Sequence, residues 1–274
     1  MNTILLFAFF VLTPSAQAFI PNTDFIVERA VKNAGKGAFV VENEVVFRNE
    51  TETLTVKERW TIQDADNMAL EASGPGFKVF YLYLNGKVTT METPGEISSR
   101  RAPPEHLERF FHAKGERTLA NLLLQAKVIS LDPLRPRHKP KSIKDIKAES
   151  DPFVRLSRLE SGPALLISHS NKLDEVGSAP GVWFDQSTYL ISKIRFPQGH
   201  ELIASLPLPL SQDLVLPRIR MISWNNQGAE IRLLKAQSLA KGEVPLKELQ
   251  PKTPNIWTSG PLGSQVRDFY SRFR

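Results

Sequence analysis

The stretch FVVENEVVFR (residues 39–48), followed by LTVKERWTI (residues 54–62), decides the fold of this chain. In each segment apolar residues alternate with polar ones, which is the period-two pattern of a strand with one buried face. Further strand patterns follow as far as residue 92, and Asn85-Gly86 supplies the pair that favours a type I′ hairpin turn. Residues 39–92 therefore predict an up-and-down antiparallel meander, whose strands are long enough to curl into a barrel-like sheet.

Helix patterns precede this meander and follow it. Between Thr23 and Gly35 an N-cap residue, an apolar stripe and a terminal glycine together predict a short amphipathic helix. After Pro103, apolar residues recur at spacings of three and four, which predicts two short helices that end near residue 126.

A second series of strand patterns runs from residue 153 to residue 236. Pro207 and Pro209 are expected to break this series, because proline cannot donate a hydrogen bond to a neighbouring strand. The predicted fold class is mainly β with α elements (α+β), built on a curved antiparallel sheet that forms an incomplete β-barrel.

Residues 1–18 have the features of a cleavable signal peptide. The apolar run from Ile4 to Leu12 is far shorter than the roughly 20 residues of a membrane-spanning helix. The sequence Ser15-Ala16-Gln17-Ala18 ends in small residues, so we expect cleavage after Ala18 and export of the mature chain. The alternative, a retained apolar anchor, would make the protein a membrane-bound receptor.

Charge and cysteine content narrow the classes of function. The formal net charge is +6, so an exported protein of this kind would meet anionic lipid surfaces more readily than nucleic acid. The alternative is that the excess lysine and arginine side chains only contact solvent. The chain has no cysteine, which excludes a thiol nucleophile, thiolate metal sites and a lipid-modified cysteine. No nucleic-acid partner is expected, because no aromatic residues interleave with the clustered cations.

Catalytic and metal-binding signatures are missing from the sequence. Among five histidines, His106 and His112 lie six positions apart, which places them on different faces of a helix. No nucleophile-elbow pattern and no phosphate-cradling glycine loop occurs. We therefore predict no catalytic residue, no metal, no cofactor and no enzymatic activity.

The patterns divide the chain into three predicted parts. They are a signal peptide (residues 1–18), a half-barrel domain (residues 19–240) and a proline-rich C-terminal extension (residues 241–274) that carries a short helix at 265–273. Within the domain, a helical insertion spans about residues 103–131, and an exposed basic loop spans residues 132–147.

The order of these elements resembles the LolA/LolB-like superfamily of periplasmic lipoprotein carriers. The segments that carry the resemblance are the N-terminal helix, Glu58-Arg59-Trp60, the strand Phe77–Tyr81 with its Asn-Gly turn, and Gly181–Asp185 with the strand that follows. The resemblance implies a periplasmic protein with an apolar cavity that the inserted helices cover. Because no lipid-modified cysteine is present, the chain is similar to the soluble carrier rather than to the anchored acceptor; the basic loop and the proline-rich tail depart from the simplest members.

The resemblance also implies the partners and the candidate site. The partners would be the acyl chains of a lipid or lipoprotein, and an inner-membrane exporter or an outer-membrane acceptor. A curved sheet must cover its concave face with side chains, helices or ligand, so the same residues could instead form a packed, dry core. The residues expected to line the cavity are Phe39, Val41, Phe47, Val56, Trp60, Ile62, Leu107, Phe110, Phe111 and Leu122.

The basic loop is a second candidate surface. Its cations Arg135, Arg137, Lys139 and Lys141 could touch a membrane transiently or bind an acidic partner, or they could simply be solvated. The alternative function is an exported sensor or scaffold that binds a protein partner, with this loop and the proline-rich tail as its working surface.

Overall fold

The computed structural model describes residues 20–134, 154–170, 178–240, 246 and 249–274. The predicted signal peptide and the four cations between Arg135 and Lys141 lie outside the described residues. Within the described part of the chain, no helix has the length and apolar character needed to cross a membrane.

One antiparallel sheet of thirteen strands organises the fold. The spatial order is β6-β5-β4-β3-β2-β1-β13-β12-β11-β10-β9-β8-β7, so two meanders meet where β1 pairs with β13. The sheet is not closed, because β6 and β7 are its two edges. The strands are β1 (Ala38–Arg48), β2 (Thr53–Asp64), β3 (Asn67–Gly74), β4 (Phe77–Leu84), β5 (Lys87–Thr93), β6 (Glu96–Arg101), β7 (Val154–Leu159), β8 (Gly162–Ser168), β9 (Gly181–Asp185), β10 (Ile191–Arg195), β11 (Glu201–Pro209), β12 (Val215–Trp224) and β13 (Gln227–Leu239).

This architecture confirms the predicted α+β class and the incomplete antiparallel barrel. Alternation explains the first meander, because in β2 the residues Val56, Trp60 and Ile62 are buried whereas Lys57 and Arg59 are exposed. The sheet therefore has a concave face that carries the main core and an outer face on which polar residues surround two small apolar clusters.

Two features of the strands differ from the sequence prediction. Strand β6 (EISSRR) was not expected, and all six of its residues are exposed, so it has no apolar alternation to detect. Strand β11 runs through both prolines that were expected to end it. Pro207 lies opposite Pro217 in the register with β12, and Leu206 adopts a positive φ of 57° just before it.

Helices cover the concave face of the sheet. Buried side chains from all of them belong to the same hydrophobic cluster as the strands. The final helix lies in the region that the sequence analysis assigned to a C-terminal extension, yet it packs into this common core because its apolar residues face the sheet. The helices are α1 (Thr23–Val31), α2 (Leu107–Phe111), α3 (Glu116–Gln125) and α4 (Gly263–Arg272).

Candidate functional site

The ten residues predicted to line a cavity come together on the concave side of the sheet. All ten are buried, and all belong to one hydrophobic cluster. Six project from β1 and β2, and four come from α2 and α3. Their spatial convergence is thus established, while their contact with a ligand stays a prediction.

Helix α4 supplies much of the cover over this face. The Phe269 ring centroid lies 5.2 Å from that of Phe47 on β1 and 5.8 Å from that of Trp224 on β12. The Tyr270 ring centroid lies 4.9 Å from that of Phe77 on β4. Aromatic pairs at these distances contribute roughly 0.5–1.5 kcal/mol beyond the area that they bury. The last helix of the chain therefore packs directly on the apolar face of the sheet.

A buried ion pair anchors the end of α4 to the sheet. Arg274 donates from Nε to Glu58 Oε1 at 2.9 Å and from Nη2 to Glu58 Oε2 at 3.1 Å, which is a bidentate pair. Trp60 Nε1 donates to the same carboxylate at 3.1 Å. Burial alone would lower the pKa of Arg274, but Glu58 and Glu108 raise it above its ordinary value. The guanidinium of Arg274 therefore keeps its charge inside the core.

A second carboxylate extends this buried network to α2 and β12. Arg220 Nη1 donates to Glu108 Oε1 at 2.6 Å, and Arg274 Nη1 lies 3.4 Å from the same oxygen. Burial by itself would raise the pKa of Glu108, but the positive charges of Arg220 and Arg274 outweigh it and lower the pKa to about 2. Two carboxylates and two guanidinium groups thus form a network with no net charge. Such a network is costly to leave half satisfied.

Neutral polar rings surround the network. Burial lowers the pKa of His112 to about 4, so its contact of 3.7 Å with Glu108 joins a neutral ring to a carboxylate. Burial also holds the pKa of His106 well below its ordinary value. The His106 ring packs edge-on against Tyr83, with 4.5 Å between centroids, and neither ring nitrogen has a hydrogen-bond partner in the structure. Within the described residues, no group of three or more His, Cys, Asp or Glu side chains is placed to hold a metal ion.

Sequence reasoning did not identify the network, although one signal pointed to it. Glu58 shares the inward parity of Val56 and Trp60, so an inward-facing carboxylate could have been read from the alternation of β2. Its partner Arg274 lies 216 residues further along the chain, and no local pattern connects the two.

No protein-family profile matches the sequence, and no curated protein matches it. A solved LolA superfamily protein from Nitrosomonas europaea matches with a TM-score of 0.51 and 9% identity, over 83% of this chain and 96% of that one. The chain shares the fold of this LolA superfamily protein. This agreement confirms the resemblance read from the sequence at the level of the fold.

A second solved structure is also similar to this chain. It is a domain from Vibrio parahaemolyticus, described as an outer membrane lipoprotein-sorting protein, with a TM-score of 0.47 and 12% identity over 81% of this chain and 94% of that one.

Proposed function

We propose that the protein is an exported periplasmic carrier that binds the acyl chains of a lipid or lipoprotein and shuttles them toward the outer membrane. The observation that carries this proposal is the arrangement of the concave face. An open sheet of LolA-like fold presents a continuous apolar surface, and a single helix at the end of the chain, α4, covers much of it. The predicted signal peptide supplies export.

In this proposal the acyl chain takes the place of α4. Release of the helix would expose the apolar side chains of Val266, Phe269, Tyr270 and Phe273, which are fully buried. Full burial contributes roughly 1.5–3 kcal/mol for each such side chain, or on the order of 10 kcal/mol for the four. An acyl chain of about 16 carbons gains a similar amount, at about 0.8 kcal/mol per methylene. Because the two terms are of the same order, one can replace the other without a large net cost.

The ion network opposes this exchange and so keeps the helix closed when no ligand is bound. Arg274 holds α4 through Glu58 and Glu108, and release of the helix would leave both carboxylates without this partner, which costs several kcal/mol. The network therefore acts as a latch that opens only when a bound acyl chain compensates for the loss of α4. The ten predicted cavity residues would line the space that opens.

A disulfide lock tests the exchange directly. Gln265 on α4 donates from Nε2 to the backbone oxygen of Gly228 at 2.7 Å, and the chain has no cysteine of its own. We expect the double variant Gln265→Cys/Gly228→Cys to bind a fluorescent fatty acid at least about tenfold more weakly when oxidised than when reduced. The matched control Gln265→Ser/Gly228→Ser should bind equally with and without reductant. Mass spectrometry reports whether the disulfide has formed.

Lipid extraction from the wild-type protein provides an independent readout. Protein purified from its native compartment should yield acyl chains on mass spectrometry of the organic extract. Equal affinity of the oxidised and reduced lock variants would contradict the exchange of α4 for ligand. Absence of acyl chains from the extract, together with no binding of the fatty acid, would contradict the carrier function as a whole.

A second candidate function, an exported sensor or scaffold that binds a protein, has one observation in its favour. Ile203 on β11 and Met221 on β12 lie directly opposite each other on the outer face, and they are 46% and 56% exposed. The double variant Ile203→Ser/Met221→Ser should then abolish capture of a defined partner and leave fatty-acid binding unchanged. Deletion of the C-terminal region is a poor test, because it removes α4 from the core.

A further inference from the structure

A cleft lined by cations lies beside the end of α4, at the edge of the sheet formed by β5 and β6. It consists of two cavities of about 590 and 510 Å³ that share Arg100, Arg101 and Gln125 in their walls. Lys127 lines the first cavity and Lys87 the second. We call the space around these five residues the cationic cleft. Each cavity has a volume within the range of about 300–1,000 Å³ that is typical of small-molecule sites.

The acidic residues of the cleft are already paired. Glu105 Oε2 lies 2.9 Å from His200 Nδ1, and both side chains are almost completely buried. Asp66 forms an ion pair with Arg109 in the wall of the second cavity. These two carboxylates are therefore directed toward His200 and Arg109 and form no ion pair with the remaining cations of the cleft.

The four cations that remain have no carboxylate partner among the described residues. Arg100 makes a single hydrogen bond of 3.5 Å to the backbone oxygen of Ser271, on α4, and no ion pair joins Arg101, Lys87 or Lys127 to an acid in the described part of the chain. In another cavity, by contrast, Lys36 contacts the carboxylate of Asp213 at 2.8 Å. The cleft thus concentrates unbalanced positive charge in one concave place.

Strand register adds a physical reason to expect an anion there. Lys87 on β5 lies directly opposite Arg101 on β6, so two like charges face each other across one antiparallel pair. Like charges in this position destabilise a sheet, by an amount comparable with the roughly 0.2–1 kcal/mol that opposite charges contribute. A bound anion would turn this repulsion into two attractions. Arginine is well suited to the task, because its planar fork of donors matches the oxygens of a phosphate.

We propose that the cationic cleft binds a phosphate group, with Arg100 and Arg101 as its main donors and Lys87 and Lys127 as supporting charges. This site lies at the edge of the sheet, beside the end of α4, and the proposal does not depend on the proposed carrier function. A phosphate group could come from a free phosphoester or from the headgroup of a phospholipid, and both sources present the same chemistry to the cleft.

The test compares two variants that remove the same charge from different places. Arg100→Gln/Arg101→Gln removes the main donors of the cleft. Arg158→Gln/Arg218→Gln removes two exposed arginines that lie outside it. Circular dichroism and thermal unfolding establish that both variants are folded.

Two binding arms identify the source of the phosphate. Glycerol phosphate is titrated by calorimetry, and phosphatidylcholine vesicles with and without phosphatidic acid are tested by co-sedimentation. In at least one arm we expect the wild-type protein to bind and the cleft variant to bind at least about tenfold more weakly, while the control variant stays within about twofold of wild type. Binding in the first arm alone identifies a soluble phosphoester, and binding in the second alone identifies a lipid headgroup.

Two results would overturn the proposal. One is the absence of wild-type binding in both arms. The other is an equal loss in the cleft and control variants, which would mean that net charge alone attracts the anion. Fatty-acid binding is measured on the same wild-type preparation, so a failure of the phosphate site and a failure of the carrier function give different results.

Discussion

Replacement of Glu108 by glutamine should reveal how much the buried ion network contributes to stability, and at which pH. The side chain of Glu108 is almost fully buried, and its pKa is lowered from an ordinary value of 4.5 to about 2. Because the folded pKa lies below the unfolded one, the charged carboxylate stabilises the fold above about pH 4.5. That stabilisation is lost as the pH falls toward about 2, where the folded protein also binds the proton.

The size of the effect follows from the gap between the two pKa values. At about 1.4 kcal/mol per pKa unit, the gap corresponds to about 3 kcal/mol at pH 7. Glutamine has the shape of the protonated acid, so Glu108→Gln should be about 3 kcal/mol less stable than wild type at pH 7. The difference between the two proteins should shrink as the pH falls from about 4.5 to about 2.

Urea unfolding followed by tryptophan fluorescence, at a series of pH values from 7 to about 2.5, measures this difference wherever both proteins remain folded. Glu28→Gln is the control, because Glu28 pairs with Lys32 on the exposed surface of α1 and should stay close to wild type throughout. A difference for Glu108→Gln that does not change with pH, or one no larger than that of the control, would refute the assignment of a buried, charged carboxylate.

Three further substitutions test local features of the fold by urea unfolding. Gly35 has a φ of +69°, and an added Cβ would lie 2.8 Å from the Cβ of Leu214, so Gly35→Ala should cost about 2–4 kcal/mol. Gly95→Ala, at a φ of +81° with open space around it, should cost only about 1 kcal/mol, and equal losses would contradict the steric part of this argument. Asn255 donates from Nδ2 to Glu92 Oε1 at 2.9 Å, and its Oδ1 accepts from the backbone N–H of Phe80 on β4. Asn255→Ala should therefore lower the free energy of unfolding by about 2 kcal/mol. A loss below about 0.5 kcal/mol would contradict the anchoring role of Asn255.

Side-chain alternation explains why so much of the sheet was predictable. In β2 the buried residues repeat at every second position from Val56 to Ile62, and that period is imposed by the pleat itself. Strand β6 carries no such signal, because it lies at the edge of the sheet and none of its residues is buried. The prediction that Pro207 would end β11 was wrong because the sequence does not show which residue lies opposite it. In the structure that residue is another proline, Pro217.

The candidate site was only half predictable. Hydrophobic positions such as Phe47 and Trp60 identify the concave face, since they belong to an amphipathic pattern. What covers that face depends on packing between distant segments, and the short apolar stripe of α4 does not specify where the helix docks. The cationic cleft has the same origin, because Arg101 and Lys127 meet only through tertiary structure. Periodicity reports which side of an element is buried, but it does not report the partner.

The pairing of β1 with β13 has a consequence for the order in which the chain can fold. Val45 pairs with Ile231, so this register joins residues that lie about 190 positions apart in the sequence. Closing a loop of that length costs about 5 kcal/mol of chain entropy before any contact across it compensates. Residues 38–101 need only short hairpin loops and can assemble first, which leaves one edge of β1 open until the last strand of the second meander arrives. We therefore expect the pairing of β1 with β13, at the centre of the sheet, to form later than the pairings toward its edges.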